Sequence, residues 1–349
     1  MSDRRQPFDA DAAADPDAGI YGLPHSAEEA RVVLIPVPWD ATTSYRAGAA
    51  KGPRAIQRAS LQVDLFDLDT GRPWQAGIAL CEESPEVIAR NAQARSAAEQ
   101  VIAKRGLVQG DPALERALGL VNEQGAWLNE WLRCAVGEHL ERGKLVGVVG
   151  GDHSSVFGAI AAVAEHAGDL GVLHVDAHAD LREAYEGFAW SHASIMFNVA
   201  TRLPRVRRIV QVGVRDFGEA ERAFIEGSRG RVVTHFDGAL RARQFDGETW
   251  SAQCERIVAD LPERVYVSFD IDGLDPSLCP HTGTPVPGGL GFAEASHLLG
   301  RVVASGRRIV GFDLNEVAPG PDADDEWDAN VGARLLYRMI GWALRSQGA

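Results

Sequence analysis

Uninterrupted apolar, β-branched runs recur along the chain. They are RVVLIPVP (31–38), KLVGVVGG (144–151), LGVLHVD (170–176), RIVQVGV (208–214), RVVTHF (231–236), RVYVSFDID (264–272) and RRIVGFDLN (307–315). A strand with one wet face alternates apolar and polar residues; these runs do not, so both faces must be covered, as in a parallel sheet. Between them lie longer stretches rich in Ala, Leu, Glu and Arg, which predict helices over 86–104, 112–142, 155–167, 219–228, 249–260, 292–304 and 326–346. Strand–helix alternation of this kind is the signature of an α/β layered domain. No Pro/Ser/Gly linker interrupts it and no internal repeat is visible, so residues 31–349 read as a single domain. The segment 84–142, long and poor in strand signal, is expected to be an excursion on one face of the sheet.

Charge narrows the class of partner. The formal net charge of −14 argues against nucleic acid and anionic membranes, both of which need a basic footprint. No stretch of about 18 consecutive apolar residues suggests a membrane span. Residues 1–30 are acidic and rich in Ala, Asp and Pro, lack the apolar core of a signal peptide, and are expected to form a mobile arm. Cys81, Cys134, Cys254 and Cys279 are scattered with no CxxC, which fits a reduced, cytoplasmic protein.

The polar residues gather where the apolar runs end. VVGGDHSS supplies Asp152 and His153, HVDAHAD supplies Asp176, His178 and Asp180, SFDIDGLDP supplies Asp270, Asp272 and Asp275, and GFDLNEVAP supplies Asp313 and Glu316. In open α/β sheets ligands bind beyond the carboxyl ends of the strands. Residues two apart share a strand face, so Asp270 and Asp272 can point into one site. Buried together, such carboxylates would repel one another, and two divalent cations would supply the opposing charge. Oxygen and nitrogen donors without thiolate suit first-row ions, Mn²⁺ first and Ni²⁺ next, and paired ions are a hydrolytic device. Taken singly the motifs have plainer readings: GGDHS as a helix cap, DAHAD as a solvated loop, Glu316 as a cap acid. DIDGLDP lacks the distal Glu of a calcium loop. At four strand ends of one chain the plain readings become improbable together.

GGDHS, DAHAD, SFDIDGLDP and DLNEVAP together resemble the ureohydrolases, the arginase–agmatinase family. PVPWDATTSYRAGAAKGPRAIQRAS (36–60) and CPHTGTPVPGGL (279–290) extend the resemblance over residues 31–345. It implies a three-layer αβα fold on a mostly parallel eight-stranded sheet, a homotrimer or homohexamer, and hydrolysis of a small guanidino compound to urea plus an amine. It also implies that His153, Asp176, Asp180 and Asp270 hold one metal ion and that Asp176, His178, Asp270 and Asp272 hold the other, with Asp176 and Asp270 bridging. Asp180 would relay a proton to the departing nitrogen, Glu316 would pair with the guanidinium, and His192 in WSHAS would shuttle protons. His174 is expected to make a packing or supporting contact, and Asp152 to cap or orient.

Departures from the family patterns bear on the substrate. Gly218 in VRDFGEAE stands where arginases carry a carboxylate for the α-amino group, and Ala193 follows the loop histidine where agmatinases usually have Gly. DLR (180–182) is closer to the formimidoylglutamases. His281 stands where relatives usually carry a small residue, and together with Trp190, Tyr185 and Glu186 it is expected to narrow the pocket for a short guanidino compound. An agmatinase-like hydrolase is the first reading; a guanidine or guanidino-acid hydrolase and then a formimidoylglutamase are the alternatives. A non-catalytic binding subunit and a one-metal deacetylase-like hydrolase fit the complete two-metal pattern less well.

Overall fold

The computed structural model describes residues 8–15, 18–322 and 325–348. Its strands are β1 (Val32–Pro36), β2 (Ile78–Leu80), β3 (Leu145–Val149), β4 (Leu170–Val175), β5 (Val206–Val212), β6 (Val232–His235), β7 (Arg264–Asp270) and β8 (Arg308–Asn315). They form one eight-stranded sheet in the order β2-β1-β3-β8-β7-β4-β5-β6, and every pairing is parallel. The helices are α1 (Gly52–Ser60), α2 (Pro85–Ile102), α3 (Pro112–Glu141), α4 (Phe157–Ala167), α5 (Ile195–Arg202), α6 (Glu219–Gly227), α7 (Asp237–Phe245), α8 (Trp250–Ala259), α9 (Phe292–Ala304) and α10 (Trp327–Ser346).

The continuous apolar runs are explained by cores on both faces. Leu145, Val149, Val265, Val267 and Leu314 turn to one side and pack with Ile56, Ile257, Leu298 and Leu336 from α1, α8, α9 and α10. Val146, Val148, Val172 and Ile209 turn to the other and pack with Leu128 and Leu132 of α3, Ile160 of α4 and Val199 of α5. The three layers expected of the family are thus present, and the 84–142 excursion is the α2–α3 pair lying over the second face. Ser84 and Asp111 start these two helices by accepting backbone N–H groups of the first turn.

The edge strand β2 was not expected, because three residues between Gly77 and Cys81 carry no readable pattern. The short helices α1, α5 and α7, eight or nine residues each, also went unforeseen. A larger correction concerns the arm. Residues 1–7 and 16–17 lie outside the described residues, but Ile20, Tyr21 and Leu23 are buried in the first core. The Tyr21 hydroxyl donates to Ala333 O at 2.9 Å, its amide donates to Ser60 Oγ at 2.8 Å, and its ring lies 4.9 Å from that of Tyr337. Acidic composition hid these apolar anchors, so residues 18–30 pack as part of the domain.

Candidate metal centre

The sheet order puts the acid-tipped strands side by side. β3, β8, β7 and β4 are the central neighbours, and the chain's excursion between β3 and β4 leaves the gap that β7 and β8 later fill. Such a switch point opens a crevice at the carboxyl ends. Val175 is in register with Phe269, and Asp270 with Asn315, so Asp176, Asp270 and Glu316 emerge at one level. After β3, two glycines let backbones close in. A Cβ on Gly151 would lie 1.9 Å from Trp39 O, and one on Gly150 would lie 1.9 Å from Asn315 Oδ1. Asp152 then caps the following turn, accepting from Ser154 N at 3.0 Å.

Two imidazoles sit among the carboxylates. His153 Nδ1 lies 3.1 Å from Asp176 Oδ2, 3.3 Å from Asp270 Oδ2 and 3.4 Å from Asp180 Oδ2. His178 Nδ1 lies 3.0 Å from Asp272 Oδ2 and 3.4 Å from Asp176 Oδ1. Asp176 therefore turns one oxygen to each imidazole. Asp270 turns Oδ2 to the first group, and its Oδ1 accepts the Asp272 amide at 2.8 Å. Potential ligand atoms of His153, His174, Asp176 and Asp180, and separately of Asp176, His178 and Asp272, lie within 4.8 Å of one another. Asp180 and Glu316 both adopt left-handed backbone, φ 54° and 61°. Non-glycine residues there cost about 1–3 kcal/mol each, a strain that concentrates at functional sites.

Hydrogen bonds behind the cluster set the orientation of its members. Thr234 Oγ1 donates to Gln211 Oε1 at 2.8 Å, which points the Gln211 amide nitrogen at His174 Nδ1, 3.0 Å away. His174 then carries its proton on Nε2 and donates to Asp176 Oδ2 at 2.8 Å. It steadies Asp176 and is not itself poised as a ligand. Likewise Ser268 Oγ donates to Asp313 Oδ1 at 2.9 Å and accepts from His153 Nε2 at 2.9 Å, leaving Nδ1 free toward the carboxylates. Asn315 Nδ2 also donates to Asp313 Oδ1, at 2.6 Å. Ser268, Gln211, Asn315 and Thr234 were not foreseen as site residues. The available signal was a polar residue inside an otherwise apolar strand: Ser in VYVSFD, Gln in RIVQVGV.

The electrostatics call for cations. Burial, then the charge of Asp176, holds the Asp180 carboxyl well above the usual carboxylate range; burial, then Asp272 and Asp176, does the same to Asp270. Glu316 is raised by burial and by Asp152. Burial alone would lower His153, but its contacts with Asp176 and the charges of Asp180 and Asp313 outweigh this and lift it to about 9. The ion-pair neighbours of these carboxylates are histidines, with no Lys or Arg among the described residues. Converging N and O donors with excess negative charge fit a pair of divalent ions.

Beyond the cluster a cavity of about 170 Å³ opens to solvent, lined by His178, Asp180, Tyr185, His192, Asp216 and Phe217 among others. His192 lines this mouth; its Nδ1 has no hydrogen-bond partner among the described residues, and burial together with the charge of His178 lowers its pKa to about 4. Glu316 accepts the His153 amide at Oε1, 2.9 Å, and its Oε2 faces Gly283. Of the residues expected to narrow the pocket, Tyr185 lines the mouth and the other three do not. His281 turns to the start of α10, where its Nδ1 is 2.9 Å from Asp328 Oδ2 and its amide donates to Asp328 Oδ1 at 2.9 Å. Trp190 packs 5.0 Å from the ring of Phe157, under the Arg202 guanidinium and against Gly125. Neither lines the mouth, and Glu186 does not either.

Comparison with known proteins agrees with the motifs. A family model described as the arginase family matches residues 30–341. The N(1)-aminopropylagmatine ureohydrolase of Thermus thermophilus is 35% identical over 316 residues, covering 90% of each chain. The proclavaminate amidinohydrolase of Streptomyces clavuligerus is 31% identical over 325 residues, covering 90% of this chain and 91% of its own. Among solved structures, the agmatine ureohydrolase of Thermoplasma volcanium matches with a TM-score of 0.71 over 95% of both chains at 24% identity, a likeness of fold. With its sequence, its all-parallel sheet and its buried His/Asp cluster in agreement, the chain belongs to the arginase family and is a hydrolase of guanidino compounds.

Proposed function

We propose that the chain is a binuclear metal-dependent hydrolase that cleaves a guanidino C–N bond to give urea and an amine, with an agmatine-type compound as its first candidate substrate. The observation that carries this reading is Asp176, whose two oxygens face two different imidazoles. His153, Asp176, Asp180 and Asp270 would hold one ion, and Asp176, His178, Asp270 and Asp272 the other, with Asp176 and Asp270 shared. When bound, two divalent cations would lower the pKa of water at the site towards neutrality and so supply the nucleophile. Glu316 would hold the guanidinium through Oε2, since Oε1 is engaged by the His153 amide. Asp180, at the edge of the mouth, would pass a proton to the leaving nitrogen. His192, kept neutral, would take up a proton at Nδ1.

Limiting the substrate to a short guanidino compound loses its basis once Trp190 and His281 face away, and the name of the Thermus relative points to a longer amine. The reading extends to Mn²⁺ as first choice with Ni²⁺ next, and to a cytoplasmic homotrimer or homohexamer. It is tested by urea and ammonia release from protein loaded separately with Mn²⁺ and with Ni²⁺. The substrates are guanidine, methylguanidine, agmatine, 3-guanidinopropionate, 4-guanidinobutyrate and arginine. Urea from one of them, with about two ions bound per chain, is expected. No urea from any, with both ions bound, overturns the reading.

A further inference from the structure

Resting on that function, in which His192 takes up a proton, the fold also shows what holds His192 at the mouth. Its ring is fixed by no side-chain hydrogen bond among the described residues; Nδ1 has no partner, and the Tyr185 ring lies 6.0 Å away between centroids. The place of the ring therefore depends on the loop that carries it. Between Tyr185 and His192 the chain seats five consecutive residues on the α2–α3 pair. A Cβ on Gly106, in the turn between these helices, would lie 2.7 Å from Glu186 Cα. One on Gly187 would lie 2.9 Å from Leu118 Cδ2, and one on Gly125 would lie 2.8 Å from Trp190 Cβ. Asn122 of α3 holds the backbone on both sides of Phe188, donating to Gly187 O at 3.2 Å and accepting from Ala189 N at 2.9 Å. Phe188 itself is fully buried. It enters a third core, separate from the two that flank the sheet, with Ala97, Ala98 and Val101 of α2 and Ala117 and Val121 of α3.

Local sequence preference does not account for this hairpin. Tyr185 and Phe188 exchange both backbone hydrogen bonds, at 3.2 and 2.9 Å, and the two residues between them, Glu186 and Gly187, have φ of 53° and 89°. Such a two-residue turn suits Asn-Gly, and a glutamate in the left-handed region is unfavourable. The turn therefore needs tertiary support, and the buried Phe188 ring is the largest apolar group that can give it. Neither α2 nor α3 lines the cavity among the described residues, yet Tyr185 and His192, at the two ends of the seated segment, both do. We infer that Phe188 is a positioning residue for His192, and that through it the α2–α3 excursion serves as the mount of the loop that bears the proton acceptor.

The test is a double-mutant cycle on urea release by metal-loaded protein, with agmatine or whichever compound of the panel above the wild type hydrolyses. Phe188→Ala should lower kcat about 10- to 100-fold, as for a misplaced catalytic group. KM should stay within about threefold, with about two ions still bound per chain. Phe188→Leu should restore most of the loss. Asn122→Ala, which removes both backbone contacts and leaves the third core intact, should lower kcat about threefold. In a His192→Ala background, Phe188→Ala should cost less than about twofold, because the group it positions is gone. Ile257→Ala, in the core under α8, controls for lost stability and should leave kcat within about twofold. Should Phe188→Ala fail to fold, Asn122→Ala carries the same cycle. If kcat is unchanged in Phe188→Ala, or falls by the same factor with and without His192, or if His192→Ala turns over like the wild type, this assignment is wrong and the proposed function stands. If the wild type with both ions bound releases urea from none of the guanidines, the proposed function fails and this assignment fails with it.

Discussion

Replacing Ser268 by Ala should weaken metal binding at the His153 group and leave the His178 group as it is. Ser268 is fully buried and lies between the ring of His153 and the carboxylate of Asp313. Its hydroxyl accepts the Nε2 proton of His153 at 2.9 Å and gives its own proton to Asp313 Oδ1 at 2.9 Å. With Ala there, Asp313 keeps Asn315 as a donor, but the Nε2–H of His153 has none to receive it. An unsatisfied buried N–H costs about 1–3 kcal/mol. In the metal-free protein above about pH 9, where His153 is neutral, it can avoid that cost by moving its proton to Nδ1, which faces three carboxylates at 3.1–3.4 Å. With metal it cannot, because Nδ1 must offer its lone pair. The penalty therefore falls on the loaded state, and affinity at that group should drop about 10- to 100-fold. A chelator-buffered titration of wild type and Ser268→Ala reads this as one site shifted and one in place. Nitrogen-15 shifts of His153 in the metal-free protein above about pH 9 should show the proton moved from Nε2 toward Nδ1. Wild-type affinity at both sites in the Ala variant would refute the argument from tautomer control.

Further outcomes follow from the same geometry. Asp176→Asn should lower urea release by at least about a thousandfold, because the neutral amide removes the charge shared by both groups, and the metal-free melting temperature should fall, because contacts with His174, His153 and His178 outweigh burial and hold the Asp176 carboxyl well below the usual carboxylate range; near-normal turnover with two ions bound would contradict the assignment. Gly151→Ala should destabilise the fold by about 1–3 kcal/mol, since its methyl would have to displace Trp39 O from 1.9 Å; an unchanged urea-denaturation midpoint would show that the loop yields freely. His281→Ala should cost about 1 kcal/mol of stability through the start of α10 and leave KM for the guanidino substrate within about twofold, because its ring turns to Asp328 and away from the mouth; a large KM change would return it to the pocket.

How much of this was readable follows from what each residue has to satisfy. The strands were legible because a strand covered on both faces must be apolar throughout: in β3, Leu145 and Val149 enter one core while Val146 and Val148 enter the other. β2 was not, because at three residues its place at the edge of the sheet is decided by pairing with β1. Residues 18–30 misled because composition is an average: Ile20, Tyr21 and Leu23 are few among acids and alanines, yet they are what the core takes up. Trp190 and His281 misled for a related reason. Their positions lie next to site residues in the chain, but sequence proximity does not say which way a side chain turns, and α3, α4 and α10 provided alternatives.

The metal residues were legible because their chemistry makes them conspicuous: charges are expensive at the end of a buried strand unless something opposes them. Their supports are less conspicuous for the same physical reason. A neutral Ser, Gln or Asn costs little once it is hydrogen-bonded, so Ser268, Gln211 and Asn315 leave no charge pattern, only a polar residue in an apolar run. Yet the distances give them a defined task. Gln211 can present its nitrogen to His174 because Thr234 occupies its oxygen, and Ser268 can receive His153 because Asp313 takes its proton. Each chain of donors runs one way and touches the cluster at one end: the first ends on Asp176, and the second starts at His153 and ends on Asp313. Polar residues inside doubly covered strands, when they lie within a few positions of the carboxyl end, are therefore where the orientation of such a site should be sought.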